Sequence, residues 1–378
     1  MSTSPNFLNP EFPTDMDAIQ KRIALIDPRK YASSRNYIDG SVSYISPYIS
    51  RGVISTKQVY QSLLEREFTT SNAEKFIQEL AWRDYWQQVW IHKGNAIDSD
   101  LKHSQPNVEN HEIPSKITEG TTGIIAIDKA ISLLYKTGYM HNHLRMYVAS
   151  IACNVANSHW KIPAQWLYYH LLDADWASNA LSWQWVAGAN SNKKYYANQE
   201  NINRYCHTHQ TNTFLEVAYD EFENLPIPDA LKDTKNLNLK TILPDAEVLT
   251  LDADIPIHIY NFYNLDPNWR KNEPANKVLI LEPSLFVKYP VSEKSIQFAL
   301  ELAKNIPNIQ LFVGEIQELS ALYPKTQYYY KEHPTNSHYV GIEDSRDWMF
   351  SVNGYYPSFF AFWKKCKKEI KNNMIHEA

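Results

Sequence analysis

Between Thr137 and Trp185 the chain crowds together an arginine, two aspartates, an asparagine and several indoles, residue types that need partners or a ligand when buried. The run TGYMHNHLRM (Thr137 to Met146) holds Asn142, Arg145 and Met146 at i, i+3 and i+4, one face of a helix. LLDADWASN (Leu171 to Asn179) follows with Asp173, Asp175 and Asn179. SWQWVAG (Ser182 to Gly188) adds Trp183 and Trp185 on either side of a glutamine. Arg145 has two candidate carboxylates, and an internal ion pair explains Arg145 and Asp173 about as well as a ligand site does. Asn179, with Trp176, Trp183 and Trp185 close in sequence, must find hydrogen-bond partners for its amide. A flat, redox-active aromatic ligand would satisfy the charges and the indoles together.

Two further groups carry chemistry. In SVSYISPYISRG (Ser41 to Gly52), Ser46 before Pro47 reads as an N-cap with proline at the first helical position. Free N–H groups there, with the Ser43 and Ser46 hydroxyls, could take a phosphate or pyrophosphate; simple capping is the plainer account of this motif alone. Glu79, Trp82, Arg83 and Trp86 share one helical face and could cradle a flat polar ligand such as a nucleobase, or form an ion pair beside a core indole. The chain shows no Ser–His–Asp arrangement and no HExxH pair, and His141 and His143 point to different helix faces, so no metal site is expected.

Composition narrows the classes. The formal net charge of −5 makes the whole molecule no obvious polyanion binder, so any nucleic-acid contact must use a local patch. Cys153, Cys206 and Cys366 are too far apart for a CxxC site and too few for a four-cysteine iron–sulfur cluster. The N-terminal stretch lacks a basic region followed by an apolar run, and no segment has membrane-spanning length. The expectation is a cytoplasmic protein without a membrane partner. Aromatic content is high, with 11 Trp and 25 Tyr, most of which a large helical core would absorb.

The elements that must position these residues change character along the chain. Up to about residue 222 the pattern is helical, with Ser55/Gln58 and Ser71/Glu74 as capping-box signatures and Gly94 as a stop. Residues 98–121 read as a long polar loop. Helices are expected over 123–136, 142–156 and 163–172. Residues 223–252, rich in Pro, Asp, Asn and Lys, read as a linker. After it, β-branched runs at 255–262, 277–283, 309–315 and 326–332 alternate with helical ones, which implies a small parallel sheet. A final helix follows Pro357, and its KKCKK run reads as a solvated face. The expected organisation is mainly α: a helical domain at 1–222, a linker at 223–252, and a small α/β domain with a C-terminal helix at 253–378.

Taken in order, these motifs resemble the photolyase/cryptochrome family, in its helical FAD-binding domain. Tyr31 and Arg35 match the tyrosine and arginine before that family's TSxLS motif, here Val42 to Ser46 with Val in place of the leading Thr. ELAWRDYW (Glu79 to Trp86) resembles ELIWRDFY, TGYMHNHLRM resembles TGWMHNRLRM, and LLDADWASNALSWQW (Leu171 to Trp185) resembles LIDGDLAANNGGWQW. The resemblance spans about residues 31–205.

The resemblance implies an FAD whose pyrophosphate sits on Ser43, Ile45 and Ser46, with Tyr31 nearby. It implies an Arg145–Asp173 pair beside the isoalloxazine, Asp175 at its polar edge, and Asn179 facing N5. It further implies damaged DNA as partner, with a flipped-out cyclobutane pyrimidine dimer met by Glu79, Asn142, Met146 and Trp185, and bound by Trp82, Arg83 and Arg35. The implied activity is light-driven repair by a photolyase-like lyase; the alternative is a cryptochrome-like blue-light photoreceptor without repair. Trp183 and Trp160 match the inner and middle members of the family's electron relay, while the outer position falls near Val108. His143 and Asn198 stand where the family has arginines. The family's antenna domain precedes the flavin domain, whereas here an α/β region follows it, which puts an antenna chromophore in question.

Overall fold

A computed structural model describes residues 10–246 and 248–376. Residues 1–9, on which part of the N-terminal reading rests, Glu247 within the expected linker, and residues 377–378 lie outside the described residues. The chain packs into two compact units that interleave along the sequence. Of the described residues, one comprises those up to Phe12 with Ser33–Val42 and Asn95–Leu239; the other comprises Pro13–Ala32, Ser43–Gly94 and those from Lys240 onward. The expected spans 1–222 and 253–378 do not anticipate this grouping.

In the first unit the helices Ile125–Thr137, Asn142–Ser150, Lys161–His170, Trp176–Ala187 and Gln199–Cys206 carry the motifs. The helix expected to run from 142 to 156 loosens into a single π turn, Ile151–Val155, before it ends. Asp175 caps the Trp176–Ala187 helix by accepting from the Ser178 N–H, and Gly188 ends it in the left-handed region. The expected loop at 98–121 contains a short helix, Ser115–Glu119, and a two-residue strand, Ile113–Pro114. That strand pairs antiparallel with Thr234–Lys235, inside the expected linker. Two-residue strands have no periodicity for sequence reasoning to find.

The second unit contains the sheet. Its order is Ile309–Val313, Asn276–Leu281, Ile257–Tyr260, Tyr328–Lys331, Ile342–Asp344, with every pairing parallel. Ile257, Ile259, Val278, Ile280, Tyr328 and Tyr330 alternate onto one face and pack against Ile316 and Leu319 of the following helix. The edge strand Ile342–Asp344 was not anticipated, because its exposed Ile-Glu-Asp sequence shows no apolar alternation.

The Thr70–Lys93 helix belongs with this unit because its inner face meets the C-terminal segment. Tyr85 donates to the Tyr356 carbonyl at 3.1 Å, and Arg346 donates to Gln87 Oε1 at 2.7 Å. The helix is capped by Thr69, two residues before the expected Ser71, and ends at Gly94 as expected. In the C-terminal helix, Phe359–His376, Trp363 and Cys366 are buried while Lys364, Lys365, Lys367 and Lys368 are exposed, the solvated face expected of that run. Among the described residues no helix is long and apolar enough to cross a membrane.

Candidate functional site

In the first unit, Gly138 sets the geometry. It ends the Ile125–Thr137 helix at φ +70, and a Cβ there would lie 2.6 Å from Leu172 Cγ. The Leu172 N–H donates to the Gly138 carbonyl at 2.9 Å, so the 137–146 and 171–179 motifs are brought together. Arg145 then reaches Asp173: Nη1 lies 3.0 Å from Oδ2 and 3.3 Å from Oδ1, while Nε donates to the Met140 carbonyl at 2.8 Å. The Asp173 side chain is 6% exposed and that of Arg145 21%. This is an ion pair largely removed from water, with the guanidinium held at a fixed angle by a third acceptor.

Asp175 accepts from the Ser178 N–H at 3.0 Å, so part of its carboxylate serves the helix start. Asn179 donates through Nδ2 to the Ala164 carbonyl at 2.8 Å, and its amide oxygen makes no hydrogen bond among the described residues. Asn142 is exposed at the start of its helix, and Met146 is half-buried. Trp185 is 40% exposed, with Tyr195 at 5.9 Å. Trp183 and Trp160 are buried. Gln184, between the two tryptophans, is a structural tie. It accepts from the Leu101 N–H at 3.0 Å and donates to the Ile97 carbonyl at 2.9 Å, holding down the 97–101 loop.

The two departures from the resemblance have physical accounts. His143 stacks on Tyr205 at 4.9 Å. Burial, then the charge of Arg35, push its pKa down to about 4, so this position carries no cation at neutral pH. Asn198 is the N-cap of the Gln199–Cys206 helix and accepts from the Asn201 N–H at 3.0 Å.

In the second unit, Tyr31 meets Phe76 edge to face at 4.9 Å. The Ser46–Ser50 helix begins one residue earlier than expected: Ile45 is its N-cap, without a side-chain cap bond, so Ser46 is not the capping residue. Ser43 and Ser46 are half-buried on either side of Tyr44, which adopts a left-handed backbone at φ 53. Arg83 donates to Ser50 Oγ at 2.7 Å. Glu79 pairs with Lys75 at 3.2 Å, both side chains being about one-third exposed. Trp82 lies flat against Phe359, centroids 3.7 Å apart and planes 9° apart.

Sequence reasoning passed over Asp84. It is buried, accepts from Thr56 Oγ1 at 2.9 Å and from the Met349 N–H at 3.1 Å, and burial raises its pKa to about 6. Asp98 and Asp100 were also missed. They accept the indole N–H groups of Trp176 and Trp160, each at 2.7 Å. The one signal in the sequence was that buried indoles need acceptors, but a single sequence does not say which. Among the described residues no group of three or more His, Cys, Asp or Glu is placed to hold a metal ion.

Residues 76–227 match the family described as the FAD binding domain of DNA photolyase. The chain is similar to a deoxyribodipyrimidine photo-lyase of Alkalihalophilus pseudofirmus, 26% identical over 215 residues, which cover 54% of this chain and 45% of that protein. It is similar also to the photo-lyase of Vibrio cholerae, 31% identical over 166 residues, 41% of this chain and 34% of that one. The matched segment thus spans less than half the length of these relatives. Among solved structures, a Synechocystis cryptochrome aligns over 60% of this chain and 50% of its own, at 24% identity and a TM-score of 0.47.

Proposed function

We propose that the chain belongs to the photolyase/cryptochrome family through its FAD-binding domain, and that it repairs cyclobutane pyrimidine dimers in DNA with blue light. When bound and reduced, FAD supplies a photoexcited one-electron donor, chemistry that belongs to the cofactor and not to the side chains. The observation that carries the reading is the buried Arg145–Asp173 pair together with the uncommitted amide oxygen of Asn179. A fixed cation and a free acceptor suit the electron-rich edge and an N–H of a flavin ring.

In this reading Arg145, Asp173, Asp175 and Asn179 hold and orient the ring. In the second unit the resemblance assigns Tyr31, Ser43, Ile45 and Ser46 to phosphate, through hydroxyls and backbone N–H groups, since the five-residue Ser46–Ser50 helix has little dipole to add. For the extruded dimer, the resemblance assigns Glu79, Trp82 and Arg83 in the second unit, and Asn142, Met146, Trp185 and Arg35 in the first. A damaged pair costs less to unstack than an intact one, which favours the lesion before any contact is made. Exposure of Asn142 and Trp185 supports their availability to a ligand.

A second reading, a blue-light photoreceptor without repair, is favoured by one contact. Phe359 covers a ring face of Trp82, the indole that would stack on the dimer. The experiment has two stages. Protein reconstituted with FAD and passed through gel filtration should retain flavin absorbance; retention in wild type and loss in the Arg145→Ala variant supports the site. Blue-light loss of dimers then separates repair from signalling.

A further inference from the structure

The C-terminal helix, Phe359–His376, carries a basic face that the proposed function leaves unused. Phe360, Lys364, Lys367, Lys368 and Lys371 recur at i, i+4, i+7, i+8 and i+11, which places them in one row along the helix. All five are exposed, and Phe360 stands 68% in water at the head of the row. Glu369 lies off this face, and its carboxylate accepts from the Ser351 N–H at 3.0 Å and from the Ser351 hydroxyl at 2.7 Å. In a chain of net charge −5, four aligned lysines make a local positive field. Lys367 meets Glu74 at 3.5 Å, but both side chains are about half exposed, so this ion pair is weak and yields readily to another anion.

The opposite face of the helix is fully occupied. Phe359, Phe362, Trp363, Cys366 and Ile370 are at most 4% exposed, with Phe359 on Trp82 and Phe362 at 5.7 Å from Tyr85. A helix that lies in a lipid surface needs its apolar face free, and this one has none to offer. A polyanion is the partner that the remaining face fits. Its placement says which. Trp82 meets Phe359, and Glu74, eight residues earlier, meets Lys367, eight residues later, so the two helices run antiparallel within the second unit. The lysine row therefore starts beside the indole assigned to the dimer and runs away from it along the Thr70–Lys93 helix.

We propose that this face of the C-terminal helix binds the sugar–phosphate backbone of duplex DNA flanking the lesion, with Lys364, Lys367, Lys368 and Lys371 on phosphates and the Phe360 ring against a deoxyribose. The proposal takes its partner from the repair reading above, and it names a contact outside residues 76–227, the segment that matches the flavin-domain family. At 1.5 Å per residue the row is about 16 Å long. That is the rise of about five nucleotides of one strand. Lysine ammonium groups act there as point charges that displace condensed counterions and read no sequence. The helix thus adds affinity for DNA whether damaged or intact, while Trp82 and its neighbours discriminate the dimer.

The test uses the full chain, with Lys364, Lys367, Lys368 and Lys371 changed together to Gln, and separately with Phe360→Ala. Binding of a dimer-containing duplex and of the same duplex undamaged is followed from about 50 to 200 mM salt. The fourfold variant should lose affinity for both duplexes by the same factor. Its slope of log K against log salt should be shallower than that of wild type by about 3.6, roughly 0.9 for each lysine. Phe360→Ala should weaken both duplexes by about tenfold and leave the slope unchanged. A fourfold variant with the slope of wild type, in protein that still prefers the damaged duplex, would overturn the proposal and leave the repair reading standing. Lysine-dependent binding to phosphatidylserine vesicles, with none to DNA, would overturn it as well. Equal binding of damaged and undamaged duplex by wild type, with a slope that still depends on the lysines, would uphold the contact and remove the dimer reading.

Discussion

Phe359, at the start of the C-terminal helix, lies parallel to Trp82 at 3.7 Å, so one face of that indole is already stacked within the second unit. A base can use only the other face. Trp82→Ala is expected to weaken dimer binding by about 1–3 kcal/mol, the usual cost of losing one stacking aromatic, while FAD stays bound. Phe359→Leu, which keeps an apolar filler, should leave dimer binding unchanged. Filter binding with a dimer-containing oligonucleotide checks both. Tighter binding by Phe359→Leu would show that Phe359 blocks the working face, and would favour the photoreceptor reading.

The Arg145–Asp173 pair predicts non-additive stability. Removing one partner of a buried pair strands the other charge, at a cost on the order of 3–5 kcal/mol. Asp173→Ala should therefore lower the urea midpoint more than Arg145→Ala and Asp173→Ala combined in one chain. A single variant as stable as wild type would mean that the pair is solvated.

Asp84 makes stability depend on pH in a defined direction. Burial raises its folded pKa from 3.8 to about 6, so the folded state binds this proton more tightly than the unfolded chain does. The associated stabilisation is fully present below the unfolded value and is lost as pH rises through the folded one, a window of roughly pH 4 to 6. A shift of about two units corresponds to roughly 3 kcal/mol. Urea midpoints of wild type and Asp84→Asn, measured across that window, should differ by an amount that changes in favour of wild type toward acid. A difference that stays constant with pH would show that Asp84 titrates normally.

Gly138 should tolerate no side chain. Its φ of +70 is strained for other residues, and an added Cβ would press on Leu172 Cγ at 2.6 Å. Gly138→Ala is expected to cost about 1–3 kcal/mol. Because Gly138 joins the two motifs that carry Arg145 and Asp173, flavin retention should fall with it. Full retention at wild-type stability would contradict this account of the turn.

Much of the arrangement was legible because local rules agreed with the fold. Ser55 and Gln58 form the expected reciprocal cap, Gly94 ends its helix, and the apolar runs after residue 255 become parallel strands. Charge alone left Arg145 with two candidate carboxylates, the resemblance implied Asp173, and the structure joins that pair. What stayed hidden depends on contacts between distant segments. Nothing near Trp82 in sequence announces Phe359, and a polar loop gave no sign that Asp98 and Asp100 face two particular indoles. Asp84 looked like one more helix carboxylate until Thr56 and Met349 closed over it. The inner face of the Thr70–Lys93 helix is likewise satisfied by residues beyond 340, which nothing in its own sequence announces.

The most direct measurement is the fate of a thymine dimer in a short DNA duplex, incubated with FAD-reconstituted, chemically reduced protein under blue light and in the dark. The account predicts intact thymines appearing in the light only, in excess of the protein present, and sharply reduced with Trp82→Ala under limiting substrate. Dimers that persist under illumination, in protein that demonstrably holds reduced flavin, would contradict it.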